Sequence, residues 1–290
     1  MRLKFLIERN SIFIKFILKD NKGIGALLGK KTNKDFSFRA ETVTKKTINL
    51  YGKNSVYERL KVNPKSIHKI FLDESFNQPN IESLILKYKI PYQRISSSAL
   101  SKICTAKDLQ GIVALVDDFR YADFDYLLLD KNDNKKTIIF LDRINDPHNL
   151  GVIIRTAACF GGFSIVIPKF NSCQVNQTVM HVASGGENYI PVSMVVNLAN
   201  AIIKAKKAGY WVVGAVVKKQ AQDINKVSFN FPLSLVLGSE GEGIRYGIER
   251  YFDYTVKIPM YGTELSFNVA MACAIFCYEI TKQKVSQINE

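Results

Sequence analysis

From Asn49 onward, short apolar runs alternate with stretches whose apolar residues recur every three or four positions. These are the rhythms of buried strands and of amphipathic helices. In the first part of this region, the pattern predicts a helix from Ser55 to Leu60, a strand from Ile67 to Leu72, a helix from Ile81 to Tyr88 and a strand from Gly111 to Val116. A polar, acid-rich stretch follows and ends in Lys131-Asn132-Asp133-Asn134-Lys135-Lys136, which reads as a boundary. The second half alternates more regularly. Strands are expected over Thr137–Leu141, Phe163–Ile167, Tyr210–Val217, Leu233–Leu237 and Tyr254–Ile258. Helices are expected over Leu150–Phe160, Val195–Ala208, Ile244–Tyr251 and Phe267–Lys282. Repeated strand–helix units imply an α/β fold with a mostly parallel sheet covered on both faces. The expected organisation is an extension over 1–47, a small domain over 48–117, a linker over 118–136 and a larger domain over 137–290.

Composition narrows the function classes. With 47% hydrophobic residues the chain has the content of a folded protein. No run approaches the ~18–20 apolar residues of a membrane-spanning helix, so an integral membrane protein is not expected. Five Cys at irregular spacing argue against a secreted disulfide scaffold and for a reducing, cytoplasmic setting. The formal charge of +14 suggests a polyanionic partner such as nucleic acid. That excess is uneven, with +8 in residues 1–47 and only +3 in each of 48–136 and 137–290. The first segment places Leu3, Leu6, Ile7, Phe13, Ile14, Ile17 and Leu18 at helical spacing among basic residues. It fits a solvated extension, an auxiliary RNA-binding arm or an organelle transit peptide.

Ligands of parallel α/β sheets bind where loops leave the carboxyl ends of strands, and three such loops carry candidate chemistry. The first, Asp142 to Gly151, leads into a helix bearing Arg155. Asn149 could cap that helix, and Arg155 could simply pair with Asp142 or Asp146. The second, Gly238-Ser239-Glu240-Gly241-Glu242-Gly243, lacks the Lys-Ser/Thr of a phosphate-binding loop. Its two Glu disfavour phosphate and suit a neutral or cationic ligand. The third, Pro259 to Asn268, offers Ser266 as a helix cap, and the small-residue helix after it holds Cys273 and Cys277, read as core. No metal site is expected. His148 and His181 lack the surrounding ligands and are read as packed or solvent-facing.

In order, Asn149-x-Gly151-x-x-x-Arg155, Leu237-Gly238-Ser239-Glu240-Gly241-x-Gly243 and Ile258-Pro259-Met260-x-Gly262-x-x-x-Ser266-x-Asn268 resemble the three motifs of the SpoU-type RNA ribose 2′-O-methyltransferases of the SPOUT class. The likeness spans roughly Thr137 to Glu279. It reaches the small domain through Tyr51 to Leu60 and Gln110-Gly111-Ile112-Val113-Ala114, which are similar to that family's L30e-like substrate-binding domain. The resemblance implies a trefoil-knotted C-terminal domain, a homodimer formed through it, and S-adenosylmethionine as cofactor. It implies a cofactor site of Leu237, Gly238, Ile258, Met260, Gly262 and Phe267, and a catalytic set of Asn149, Arg155, Glu240, Ser266 and Asn268. The two-domain layout looks most like enzymes acting on a guanosine of 23S ribosomal RNA, with transfer RNA as the rival substrate. A non-catalytic ribosome-assembly factor of the same fold and a nucleotide-dependent oxidoreductase are the competing classes, the latter lacking the early glycine fingerprint. In the small domain Tyr51, Lys53, Arg59, Lys61 and Lys65 are candidate RNA contacts. Phe267 stands where the family usually has Leu, Leu109 where relatives often have His, and Ser184-Gly185-Gly186-Glu187 is a loose version of a family loop.

Overall fold

The computed structural model describes residues 46–129, 136–262 and 265–286. All but the last two residues of the basic extension therefore lie outside the described residues. The polar loop of residues 131–135 does as well.

Strand β1 (Thr47–Tyr51) and helix α1 (Lys53–Val62) open the small domain. They are followed by β2 (Ile67–Asp73), α2 (Pro79–Lys87), β3 (Tyr92–Ile95), α3 (Ser97–Ile103) and β4 (Ile112–Asp117). Its sheet runs in the order β1-β4-β2-β3, with β4 antiparallel to both neighbours and β2 parallel to β3. Leu50, Val56, Leu60, Ile70, Leu72, Ile85 and Ile112 fill the space between sheet and helices, all of them nearly or fully buried.

The larger domain is a seven-stranded sheet in the order β7-β6-β5-β10-β8-β11-β9, parallel at every pairing. Its strands are β5 (Thr137–Asp142), β6 (Phe163–Pro168), β7 (Val192–Val195), β8 (Trp211–Ala215), β9 (Gln222–Asp223), β10 (Leu233–Gly238) and β11 (Tyr254–Lys257). A parallel sheet covered on both faces needs apolar residues at successive positions, and Ile138-Ile139-Phe140-Leu141 supplies them. Ile139 and Leu141 join one core cluster, while Ile138 and Phe140 join the other. The covering helices are α4 (Phe124–Leu129), α5 (Pro147–Phe160), α6 (Gln177–Ala183), α7 (Leu198–Lys207), α8 (Tyr246–Glu249) and α9 (Val269–Ser286).

Three differences from the expected elements have local causes. Helix α7 starts at Leu198 because Asn197 caps it through the Asn200 amide, 3.0 Å away, and Val192–Val195 is used as edge strand β7. The helix expected over Ile244–Tyr251 contracts to α8, because Arg245 takes a non-helical backbone at ψ 135° while its amide is fastened to Asp142. Within the stretch expected as a linker, Ala122 bridges to Ser193, and Phe124 meets Phe140 edge-on in the core of the large sheet.

The two sheets are joined through α1 and the segment around α6. Ser55 donates to the Met180 carbonyl at 3.2 Å, and the His181 ring stacks on Tyr51 with centroids 4.3 Å apart. Arg59 pairs with Glu187 at 3.5 Å, and both side chains are buried. Tyr51 and Arg59 are thus internal contacts between the domains rather than RNA contacts. Burial pushes the Glu187 carboxyl above its ordinary value even with the Arg59 guanidinium beside it. Losing one partner leaves the other charged and buried, so Arg59→Ala or Glu187→Ala is expected to cost about 3–5 kcal/mol in denaturant unfolding. The apolar double variant Arg59→Met/Glu187→Leu is expected to recover most of that loss. A single variant as stable as the native protein would contradict this role for the pair.

Candidate active site

Because β5 and β10 are parallel neighbours, with Gly238 opposite Asp142, the loops that leave their carboxyl ends emerge side by side. In the first loop, Asp146 caps α5 by accepting from the His148 amide at 2.9 Å, and Pro147 takes the first helical position. The capping role expected of Asn149 therefore belongs to Asp146. Asn149 sits within the first turn, where its side-chain amide is free to reach across to the second loop. It donates to Glu240 Oε1 at 3.0 Å.

The third loop arrives at the same carboxylate. Asn268 Oδ1 accepts from the Ala270 amide at 2.8 Å and from the Met271 amide at 3.4 Å, so Asn268 rather than Ser266 caps α9. Its Nδ2 donates to Asn149 Oδ1 at 2.9 Å and to Glu240 Oε1 at 2.5 Å. Asn149, Glu240 and Asn268, spread over 120 residues of sequence, thus form one hydrogen-bonded triangle. Both amides converge on Oε1, and among the described residues Oε2 takes no hydrogen bond.

The glycine-rich loop is fastened from beneath by Asp142, which has no exposed surface. Its carboxylate accepts from the Arg245 backbone amide at 2.9 Å, from Arg245 Nε at 2.9 Å and, in an ion pair, from Nη2 at 2.7 Å. Arg143, in the left-handed region at φ 62°, pairs with Glu242 on the same loop. Gly238 must lack a side chain, since a Cβ there would lie 2.2 Å from the Gly243 carbonyl carbon. Asp142 and Asp146 are therefore engaged elsewhere, and neither pairs with Arg155. Arg155 is exposed on α5 and donates from Nη1 to Ser184 Oγ at 3.2 Å, apart from the triangle's own hydrogen bonds.

Behind Glu240 lies a cleft of about 360 Å³ between the second and third loops. Leu237, Gly238, Ile258, Met260 and Phe267 line it, together with Ser266 and Glu240, whereas Gly262 is exposed and outside the lining. Lys218 and Glu249 also line it and pair at 2.6 Å, and Phe276 contributes to its apolar wall. Lys218 and Glu249 lie outside all three motifs, and only the strand-end position of Lys218 hinted at such a place. Cys273 and Cys277 are fully buried, with sulfurs 3.9 Å apart. The contact with Cys277 and burial raise the Cys273 thiol well above its ordinary value, so it stays protonated. His148 is exposed, and His181 is packed against Tyr51.

A second, more polar hollow of about 510 Å³ opens in the small domain, lined by Asp73, Ser97, Gln110 and the candidate RNA contact Lys53, among others. Lys65 is exposed, and Lys61 pairs with Glu58 at 3.0 Å. Of the two sites, only the cleft depends on the Asp142 anchor. Asp142→Asn should leave the Arg245 guanidinium underpaired and free the loop. The expected result is a loss of roughly 1–3 kcal/mol in unfolding free energy, reduced from the fully buried case because Arg245 is partly exposed. Hydrogen exchange should rise over residues 239–245, and unchanged exchange there would contradict the anchoring.

Comparison with known proteins agrees with this layout. The SpoU rRNA Methylase family model matches residues 136–278, and the model for RNA 2′-O ribose methyltransferase substrate binding matches residues 49–122. A Staphylococcus haemolyticus protein named as a TrmH family tRNA/rRNA methyltransferase is 34% identical over 240 residues, covering 81% of this chain and 95% of that one. Bacillus subtilis YacO, named in the same way, is 34% identical over 238 residues, covering 80% and 94%. Among solved structures, the SpoU methyltransferase AviRb from Streptomyces viridochromogenes, crystallised with AdoMet, superposes with a TM-score of 0.69 at 20% identity. That match covers 83% of this chain and 91% of AviRb. A TrmH family protein from Porphyromonas gingivalis superposes at 0.64 with 22% identity, covering 82% and 90%. At these identities the superpositions speak for the SPOUT methyltransferase fold with its N-terminal substrate-binding domain, and the sequence relatives speak for kinship. The chain belongs to the TrmH (SpoU) family of RNA methyltransferases.

Proposed function

We propose that this protein transfers the methyl group of S-adenosylmethionine to a ribose 2′-hydroxyl of RNA, with a guanosine of 23S ribosomal RNA as its target. The observation that carries this reading is the Asn149–Glu240–Asn268 triangle at the mouth of the cleft. The cleft itself suits the cofactor. Its volume lies in the range of small-molecule sites, its walls at Leu237, Ile258 and Phe276 are apolar, and the Glu240 carboxylate, the lining acid not held in an ion pair among the described residues, favours a cationic ligand over a phosphate. When bound, S-adenosylmethionine supplies an electrophilic methyl group on a positively charged sulfur.

The residues of the chain would then position the hydroxyl and manage its proton. Alignment of a hydroxyl with an electrophilic carbon is worth several orders of magnitude in rate, and a triangle fixed before substrate arrives provides it without reorganisation. Glu240 keeps Oε2 open to accept a proton or a hydroxyl hydrogen bond, while the two Asn amides stabilise its charge at Oε1. Arg155 is a poor base, because a guanidinium is effectively always protonated in proteins. Its better role is to orient an RNA phosphate or the hydroxyl through its planar fork. Ser266, on the cleft wall, would contact the cofactor or the ribose.

The substrate-binding match over residues 49–122 supports RNA as partner, and the hollow beside Lys53 offers polar and basic groups to unpaired nucleotides. The reading includes the family's trefoil knot, a homodimer through the knotted domain and action in the cytoplasm. Among the described residues no helix is long and apolar enough to cross a membrane, which leaves that location open to the protein. The test of the activity is mass-spectrometric mapping of ribose methylation after incubation with unmodified ribosomal and transfer RNA. One new 2′-O-methylguanosine in 23S RNA is expected, and methylation confined to transfer RNA would overturn the substrate assignment. Arg155→Lys keeps the charge but loses the fork, so turnover should fall at least tenfold at saturating cofactor. Near-normal turnover with an unchanged pH profile would remove any role that needs guanidinium geometry.

A further inference from the structure

The fold holds Arg155 by a device that lies outside the three motif loops. Its hydrogen bond goes to Ser184, which ends helix α6 in the left-handed conformation at φ 52°. The four residues Ser184-Gly185-Gly186-Glu187 are squeezed between two helices from different domains. On one side, a Cβ at Gly186 would lie 3.0 Å from the Cα of Arg155, so this backbone rests directly on α5 at that residue. On the other side, a Cβ at Gly185 would lie 2.4 Å from the Cβ of Glu58, so the backbone also rests directly on α1 of the small domain. Tyr189 donates its hydroxyl to Glu58, and Arg59 pairs with the buried Glu187. Ser55 holds the Met180 carbonyl in the last turns of α6. The contacts with Ser55, Glu58 and Arg59 fix the segment from the substrate-binding side.

We infer that Ser184 is a positioning residue for Arg155, and that the docking of the small domain onto residues 184–189 sets its place. This rests on the proposed role of Arg155 in methyl transfer. A long exposed Arg side chain samples many rotamers, and fixing it before RNA binds removes that loss from the reaction step. The RNA-binding domain would thereby reach the chemistry through packed backbone. A shift of α1 on RNA binding would move Ser184, and Arg155 with it.

The test compares single-turnover methylation and cofactor affinity in the full chain. Ser184→Gly keeps the left-handed backbone without strain and removes the hydroxymethyl side chain that accepts from Arg155. It should lower the rate of methyl transfer at saturating cofactor roughly ten- to a hundredfold, the value of a hydrogen bond to a charged group. The dissociation constant for S-adenosylmethionine and the melting temperature should stay as in the native protein. Ser184→Asn, which tolerates the same backbone and restores an acceptor oxygen, should recover most of the rate. Tyr189→Phe, which breaks the link between this segment and Glu58, should produce a smaller loss of rate, again without a change in cofactor affinity. Native rates in Ser184→Gly would overturn the inference, and native rates in Tyr189→Phe would remove the contribution of the small domain. A native protein that methylates no RNA at all would instead defeat the proposed function on which the inference rests.

Discussion

Asp142 is where the chain commits a fully buried carboxylate to joining two distant segments. It ends β5, lies opposite Gly238 on β10, and receives both the backbone amide and the guanidinium of Arg245. A carboxylate removed from water is costly unless its acceptor sites are filled, and here one residue fills them from two directions. The glycine-rich loop between Gly238 and Arg245 is therefore held at both ends, and Glu240 is presented at a fixed point above the sheet. The Asn149–Glu240–Asn268 triangle and one wall of the cleft follow from that placement.

The second constraint is the contact between the domains. Its polar groups meet specific partners, Ser55 a carbonyl, Arg59 the Glu187 carboxylate and His181 the face of Tyr51, while Arg59 Nε and Glu187 Oε2 are buried without a hydrogen bond. Such a contact specifies one docking geometry more than it adds stability, because a buried ion pair gains little over apolar packing. Specificity of docking is what an enzyme needs when one domain holds the RNA and the other holds the reacting groups. The basic charge of the chain takes little part in this, since the two domains carry only +3 each and the RNA must be read by local groups.

Much of this was legible in the amino-acid sequence, and what was missed has physical reasons. Buried parallel strands announce themselves as continuous apolar runs, so β5, β6 and β10 emerged within a residue of their observed ends. Strand β3 did not, because Tyr92, Gln93 and Arg94 on this edge strand are all exposed and no alternation marks them. The caps at Asp146 and Asn268 were displaced to Asn149 and Ser266, since all four residues have capping chemistry. Pro147 was the available signal, because it favours the first helical position and points to Asp146 as the residue before it. The motif residues of the cleft were identifiable one by one. Their hydrogen bonding to each other was not, because it depends on three loops meeting in space. Arg59 and Tyr51 looked like RNA contacts for a related reason: their partners Glu187 and His181 lie more than 120 residues away.

The loops after β10 and β11 would make one cofactor site, tied to the loop after β5 through the Asn149–Glu240–Asn268 triangle, and its shape depends on the close approach of Gly238 to Gly243. Isothermal titration of S-adenosylmethionine into the native protein and into Gly238→Val measures this directly. A side chain at Gly238 collides with the backbone of Gly243 and must displace the loop that carries Glu240. Saturable binding of one cofactor per chain is expected in the native protein and none in the variant. Absence of binding to the native protein, or equal affinity in a correctly folded Gly238→Val, would contradict it.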